Sequence, residues 1–218
     1  FDIDVEDRLS LSTDFSLTDP ERVLLTSQGI DASDISEFRF FTNQFDTNTS
    51  GIDLVVTTDT EWLGGVTTWN LAGNYTDTEV TDRNPDLLDD RRVLLIEDGV
   101  PDYRVNFTAN HSMDAWRFLA RVNYYGEFYD NEVRNGSIPE SSSNGIFDTA
   151  YTVDIEAGYA ITENLDVALG GRNIFDETGC DIEDCSGQQP GDLGLQSSQF
   201  NPFGINGAYY YGRLSYSF

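Results

Sequence analysis

The stretch Tyr151-Thr152-Val153-Asp154-Ile155-Glu156-Ala157-Gly158-Tyr159-Ala160-Ile161 decides the fold class of this chain. Its odd positions are all apolar or aromatic, whereas the even positions carry Thr, two acids, Gly and Ala. Side chains of an extended strand point alternately to two faces, so a period of two describes a strand with one oily face and one wet face. The same alternation recurs on either side. Trp116, Phe118, Ala120, Val122, Tyr124 and Phe128 stand against Arg117, Arg121, Asn123 and Glu127. Leu165, Val167 and Leu169 stand against Asn164, Asp166 and Arg172. At the end of the chain Ala208, Tyr210, Leu214, Tyr216 and Phe218 alternate with Tyr209, Tyr211, Arg213, Ser215 and Ser217. Phe1 to Leu11, Phe38 to Trp62, Thr67 to Tyr75 and Tyr103 to Ala109 follow suit. The expectation is an all-β chain of about eight strands with no helix.

Two kinds of connection alternate between these strands. Short turns fall at Leu63-Gly64-Gly65, Ser112-Met113-Asp114 and Thr162-Glu163-Asn164, and long polar loops run over 13–36, 78–101, 130–148 and 176–206. Tight turns at one end and extended loops at the other describe an antiparallel transmembrane β-barrel of the outer-membrane kind. Strands of about ten residues suit a tilted bilayer crossing, whereas soluble sheets average about half that. Trp62, Trp69, Tyr103, Trp116, Tyr151 and Tyr159 lie near strand ends, as interfacial girdles require. The competing architecture is a soluble β-sandwich, which also has one apolar face per strand.

Composition excludes several functions. The 218 residues include 39 acids and 12 basic residues, for a net charge of -27, and every basic residue is arginine. Without lysine there is no Walker-type phosphate loop and no Schiff-base chemistry. A polyanion gains no affinity from counterion release on nucleic acid, so DNA and RNA are not expected partners. One histidine, His111, lying far in sequence from the only two cysteines, Cys180 and Cys185, makes a zinc enzyme or a histidine-based hydrolase a poor fit. Neither a cofactor nor a resident metal is expected. No run approaches the roughly 18 apolar residues of a transmembrane helix, and the sequence opens on Phe1 without an export signal.

Several segments carry a family resemblance. Phe218, preceded at alternate positions by Tyr216, Leu214 and Tyr210, looks like the carboxy-terminal strand by which outer-membrane barrels are recognised for assembly. Gly170-Gly171-Arg172-Asn173-Ile174-Phe175-Asp176-Glu177 resembles the "G-x-x-N-L-F-D" strand of TonB-dependent outer-membrane receptors. Ile3-Asp4-Val5-Glu6-Asp7-Arg8-Leu9 is similar to their "I-x-I-x-D-R-I" strand. Asn43 through Gly51-Ile52-Asp53-Leu54 is similar to their "N … G-x-E-L" strand, with Asp53 where Glu is commoner. Pro101-Asp102-Tyr103-Arg104, Trp116 through Tyr125-Gly126, and Tyr211-Gly212-Arg213-Leu214-Ser215-Tyr216-Ser217-Phe218 match the remaining strands in order.

The resemblance implies that residues 1–218 are the carboxy-terminal part, about eight strands, of a plugged barrel of about twenty-two. The plug domain and the segment touched by TonB then lie outside this sequence. It implies an outer-membrane receptor, not an enzyme, for TonB-energised uptake of a scarce nutrient, an iron complex such as a ferric siderophore before carbohydrate or cobalamin. The alternative is a small eight-stranded barrel with an adhesive or structural role. The implied partners are outer-membrane lipid and lipopolysaccharide, the barrel-assembly machinery, TonB through the plug, and a small-molecule ligand.

Ligand contact in such receptors lies in the outer loops and on the lumen face. The candidates here are Arg91 and Arg92 in an acidic loop, Phe200 and Phe203 in the last loop, and Tyr125, Tyr209 and Tyr211 on the lumen face. Arginine grips carboxylates in bidentate fashion, and aromatic rings stack on sugars or aryl chelators. Arg91 and Arg92 have an alternative role in neutralising Asp89 and Asp90, and the tyrosines in packing against a plug. Cys180 and Cys185 flank four residues of the last loop, and outside the cell such a pair is expected as a disulfide, which would stabilise by about 2–3 kcal/mol. His111 falls near a periplasmic turn, where an interfacial role is expected rather than a catalytic one.

Overall fold

The computed structural model describes residues 1–12, 15–35, 37–43, 45–129, 146–179 and 201–218. In chain order the first elements are β1 (Asp2–Val5), β2 (Leu9–Leu11), β3 (Phe15–Ser16), α1 (Asp19–Ser27), β4 (Glu37–Phe38), β5 (Phe41–Asn43) and β6 (Phe45–Trp62). There follow β7 (Gly65–Arg83), α2 (Asp90–Glu97), β8 (Tyr103–Met113), β9 (Trp116–Tyr125), β10 (Phe128–Tyr129) and β11 (Ile146–Phe147). The last are β12 (Ala150–Ala160), β13 (Leu165–Arg172) and β14 (Tyr209–Tyr216). Eight strands form one sheet in the order β1-β6-β7-β8-β9-β12-β13-β14, which is the chain order of the period-two segments. The fold is all-β and antiparallel, and among the described residues the order leaves β1 and β14 as edges.

Turn chemistry sets the register at the short end. Leu63 and Gly64 both adopt positive φ, 49° and 77°, the mirror-image turn whose twist matches that of the strands it joins. Asp114 (φ 49°) turns β8 into β9 and sets Met113 opposite Trp116. Strand ends differ from the sequence expectation. β7 continues to Arg83, eight residues past Tyr75, and β9 stops at Tyr125, short of Phe128. Asp7 (φ 53°) breaks the first segment into β1 and β2.

The two helices correct the expectation of none. Each is short and lies within a long loop, where no strand period competes with local signals. Glu21 accepts both the backbone N–H and the hydroxyl of Thr18 at 2.7 Å, and a proline stands in the first turn, so capping starts α1 without any apolar stripe.

The described residues divide into two compact units. The smaller, Asp2–Ser50 with Thr78–Glu97, holds both helices, β1 to β5 and the adjoining ends of β6 and β7. There Phe15 lies 5.9 Å from Phe38 and 5.7 Å from Phe40 between ring centres, and Arg83 pairs with Asp90.

The larger unit, Phe1 with Gly51–Asp77 and Asp98–Phe218, carries the body of the sheet. On one face the register sets apolar against apolar. Phe107 faces Val122, Ala109 faces Ala120, Val153 faces Val122, Ile155 faces Ala120, and Val167 faces Leu214. On the other face Asn106 faces Asn123, Thr108 faces Arg121, and Asp154 faces Arg121.

Exposure separates the two candidate architectures. Leu169 and Leu214 on the apolar face are 72% and 70% exposed, whereas Thr108 and Thr152 on the polar face are 3% and 4% exposed. A soluble sandwich buries its apolar face, so this inversion fits the wall of a membrane barrel, whose apolar side points outward. His111 lies on the apolar face near the turn end, where its Nδ1 and the Thr67 hydroxyl are 2.8 Å apart and Phe118 stacks beside it.

Candidate ligand site on the polar face

Alternation places Arg104 on the polar face of β8 because Val105 must face outward, and the β8–β9 register sets it opposite Tyr125. The Arg104 guanidinium carbon lies 5.8 Å from the centre of the Tyr125 ring, a cation–π distance. Phe203 returns from the far end of the last loop to lie 5.4 Å from the same ring, tilted by 43°. Among the described residues Arg104 has no carboxylate partner. Asp53, Asn74, Arg104, Asn106, Asn123 and Tyr125 contribute to an open recess of about 390 Å³.

At the edge of the recess and beyond it the polar face is closed by hydrogen bonds. Asn123 accepts from the amide of Asn106 and donates to the Thr152 hydroxyl at 3.0 Å and to Asp154 at 3.5 Å. Arg121 Nε donates to Thr108 at 3.0 Å. Nearer the short turns, Glu156 accepts from the Tyr211 hydroxyl and from Arg213, both at 2.7 Å, and Arg117 pairs with Asp166 at 2.5 Å. Those two arginines already hold carboxylates. Arg104 holds an aromatic ring instead.

The structure sorts the sequence candidates. Tyr125 and Phe203 come together, with Arg104, which residue-type reasoning passed over although Tyr103-Arg104 stood in a quoted segment. Tyr211 is on the polar face as expected but is engaged with Glu156, and Tyr209 stacks on it at 5.9 Å. Arg91 and Arg92 lie in α2 of the smaller unit. The Arg92 backbone N–H donates to Asp89, while Asp90 is taken by Arg83. Tyr210, Leu214 and Tyr216 share the apolar face of β14, facing Gly171, Val167 and Leu165. Phe200, Cys180 and Cys185 lie outside the described residues. Among the described residues no three His, Cys, Asp or Glu side chains converge as a metal site.

Comparison with known proteins agrees with the all-β antiparallel fold. The TonB dependent receptor-like β-barrel family matches residues 1–174. The chain belongs to the TonB-dependent receptor β-barrel family. Membership places it in the outer membrane. A mutant of the ferric enterobactin receptor PfeA of Pseudomonas aeruginosa superposes with a TM-score of 0.59 at 13% identity, covering 100% of this chain and 28% of that one. The copper transporter OprC gives 0.58 at 15% identity, covering 99% and 27%. The ferric-catecholate import receptor Fiu of E. coli gives 0.55 at 11% identity, covering 99% and 24%. This TonB-dependent receptor chain therefore spans about a quarter of the length of those receptors. No curated protein matches it.

One acidic group at the loop end of the larger unit carries a pH prediction. Burial, then the charges of Asp102, Glu127 and Asp77, pushes the Asp98 carboxyl above the usual range, and burial with Asp77 and Glu127 does the same to Asp102. The carbonyls of both residues are anchors: Asp98 accepts from the Tyr129 N–H at 2.6 Å and Asp102 from the Thr76 N–H at 2.7 Å. A raised folded pKa means the folded state binds protons more readily than the unfolded chain. The stabilisation is full below the ordinary value of 3.8 and is lost as pH rises through the higher folded value. Amide protection at Thr76 and Tyr129 is expected to increase on acidification from neutral towards that window, after correction for intrinsic exchange. Unchanged or decreased protection would refute it.

Proposed function

We propose that the receptor carrying this chain takes up an iron complex, such as a ferric siderophore, in a TonB-energised cycle across the outer membrane. The observation that carries the reading is the recess mouth, where an arginine without a carboxylate partner among the described residues stands beside Tyr125 and Phe203. A charged chelate with planar aryl or hydroxamate groups satisfies both features, by bidentate contact to Arg104 and by stacking on the rings. Sugars use the rings but gain less from the cation. In this reading the short turns face the periplasm, and a plug preceding this chain fills the lumen and reaches TonB. The outward row of Tyr210, Leu214, Tyr216 and Phe218 is what the assembly machinery reads, and the apolar face meets lipid and lipopolysaccharide.

The test is uptake of radiolabelled ferric siderophores by iron-starved cells with and without the gene. Loss of uptake of at least one siderophore on deletion is expected, together with dependence on TonB. For that siderophore, Arg104→Gln is expected to weaken binding by about tenfold or more at unchanged receptor abundance, the effect of removing a charge-assisted hydrogen bond. If deletion leaves every siderophore untouched but abolishes growth on a glycan, the iron reading is wrong.

A further inference from the structure

The Gly170–Glu177 segment does more than end a strand. Asn173 follows β13 with φ 48°, a conformation asparagine tolerates, and its N–H donates to Asp154 Oδ1 at 2.9 Å. Its side chain then closes a two-way bond with Glu177: the amide donates to the Glu177 carbonyl at 2.7 Å, and the Glu177 N–H donates to Asn173 Oδ1 at 2.9 Å. On the returning limb Asn201 repeats the device. Its amide donates to the Thr178 carbonyl at 3.0 Å, and its Oδ1 accepts the Phe203 N–H at 3.2 Å. Both asparagines are only 8% exposed.

The neighbours leave no slack. Gly179 has φ 76°, and a Cβ there would lie 3.0 Å from the Phe203 ring. Asp176 Oδ1 accepts the Ala208 N–H at 2.7 Å, and a Cβ on Gly207 would lie 2.3 Å from that oxygen. The outgoing and returning limbs of the last loop are thus tied at their base by Asn201 on Thr178 and by Ala208 on Asp176, while Asn173 fixes the turn of the outgoing limb that presents Asp176 and Thr178. The seam starts on Asp154, whose other oxygen receives Asn123 from the recess lining, and it ends on Phe203, whose ring meets Tyr125.

We propose that Asn173 and Asn201 are positioning residues of the ligand mouth, which set Phe203 over Tyr125 by locking the base of the last loop. A buried amide bonded in both directions resists opening, because pulling Asn173 from Glu177, or Asn201 from Thr178 and Phe203, strands donors and acceptors away from water. The proposal rests on the reading of Tyr125 and Phe203 as ligand contacts, but its test needs no ligand.

The test uses the full-length receptor in outer membranes, with Cys180→Ser and Cys185→Ser as background. Tyr125→Cys with Phe203→Cys is joined by a short bismaleimide, and Arg172→Cys with Tyr209→Cys, which face each other across β13 and β14, serves as the reference pair. Adding Asn173→Ala or Asn201→Ala is expected to slow cross-linking of the 125–203 pair by at least about fivefold, as loss of a buried hydrogen-bonded amide implies, with the reference pair unchanged. Asn201→Asp, which keeps the acceptor for the Phe203 N–H, is expected to recover part of the rate. Equal rates in the variants would overturn the proposal. So would a parallel fall in both pairs, which marks a general loss of stability. Absence of siderophore uptake would leave these rates unaffected, so the two readings fail separately.

Discussion

Ala120→Arg is expected to remove most of the assembled receptor from the outer membrane, although the next residue, Arg121, carries the same side chain natively. Ala120 lies at the middle of β9 on the apolar face, between Ala109 of β8 and Ile155 of β12. A guanidinium there enters hydrocarbon with no counter-charge in the register around it. At the midplane of a transmembrane barrel the cost is about 2–4 kcal/mol, which at about 1.4 kcal/mol per factor of ten lowers the folded population by roughly 30- to 700-fold. Arg121 points the other way, donates to Thr108 and faces Asp154. Urea titration of the folded band in membranes measures the difference, with Asn123→Arg on the polar face as the comparison. Equal midpoints for Ala120→Arg and Asn123→Arg would show that the apolar face does not meet lipid.

Gly170→Val is expected to separate β13 from its neighbours. A Cβ at this position would lie 2.6 Å from the Tyr211 ring and 2.9 Å from the carbonyl oxygen of Ile155. The ring can swing only by giving up its bond to Glu156, the carboxylate that also holds Arg213. The carbonyl cannot move without opening the β12–β13 ladder, in which Gly170 faces Glu156. Overpacking of this kind costs about 1–3 kcal/mol, and the two extra methyl groups put valine at the upper end of that range. Gly212→Ala is the control, since its Cβ would meet only the tip of Leu169, at 3.3 Å. A lowered urea midpoint for Gly170→Val with a near-native one for Gly212→Ala is expected. Equal midpoints would mean that Tyr211 does not depend on the missing side chain at 170.

The faces of the sheet were legible because pleating is a local rule. That Val122 and Asn123 point to opposite faces follows from alternation alone, and the observed register of β8, β9 and β12 keeps that assignment, with Phe128 falling outside β9. The helices were missed because α1 is made by Thr18 and Glu21 rather than by an apolar stripe. The proposed ligand mouth was legible only in part. Tyr125 and Phe203 were named for their chemistry, but Arg104 joins them through the β8–β9 register, which turns at Asp114 and not one residue earlier. A slip of one residue in that turn would move Tyr125 off Arg104, and a side-chain period of two makes such slips consequential.

By itself, then, the sequence determined the strand count of the main sheet, its chain-order neighbours and which residues share its apolar face, since each depends on residues close together in the chain. Only the tertiary structure decided that Asp154, Asn173, Asn201 and Phe203 form one seam beside Arg104 and Tyr125. That convergence depends on cross-strand register and on where a long loop returns, and neither leaves a period in the sequence.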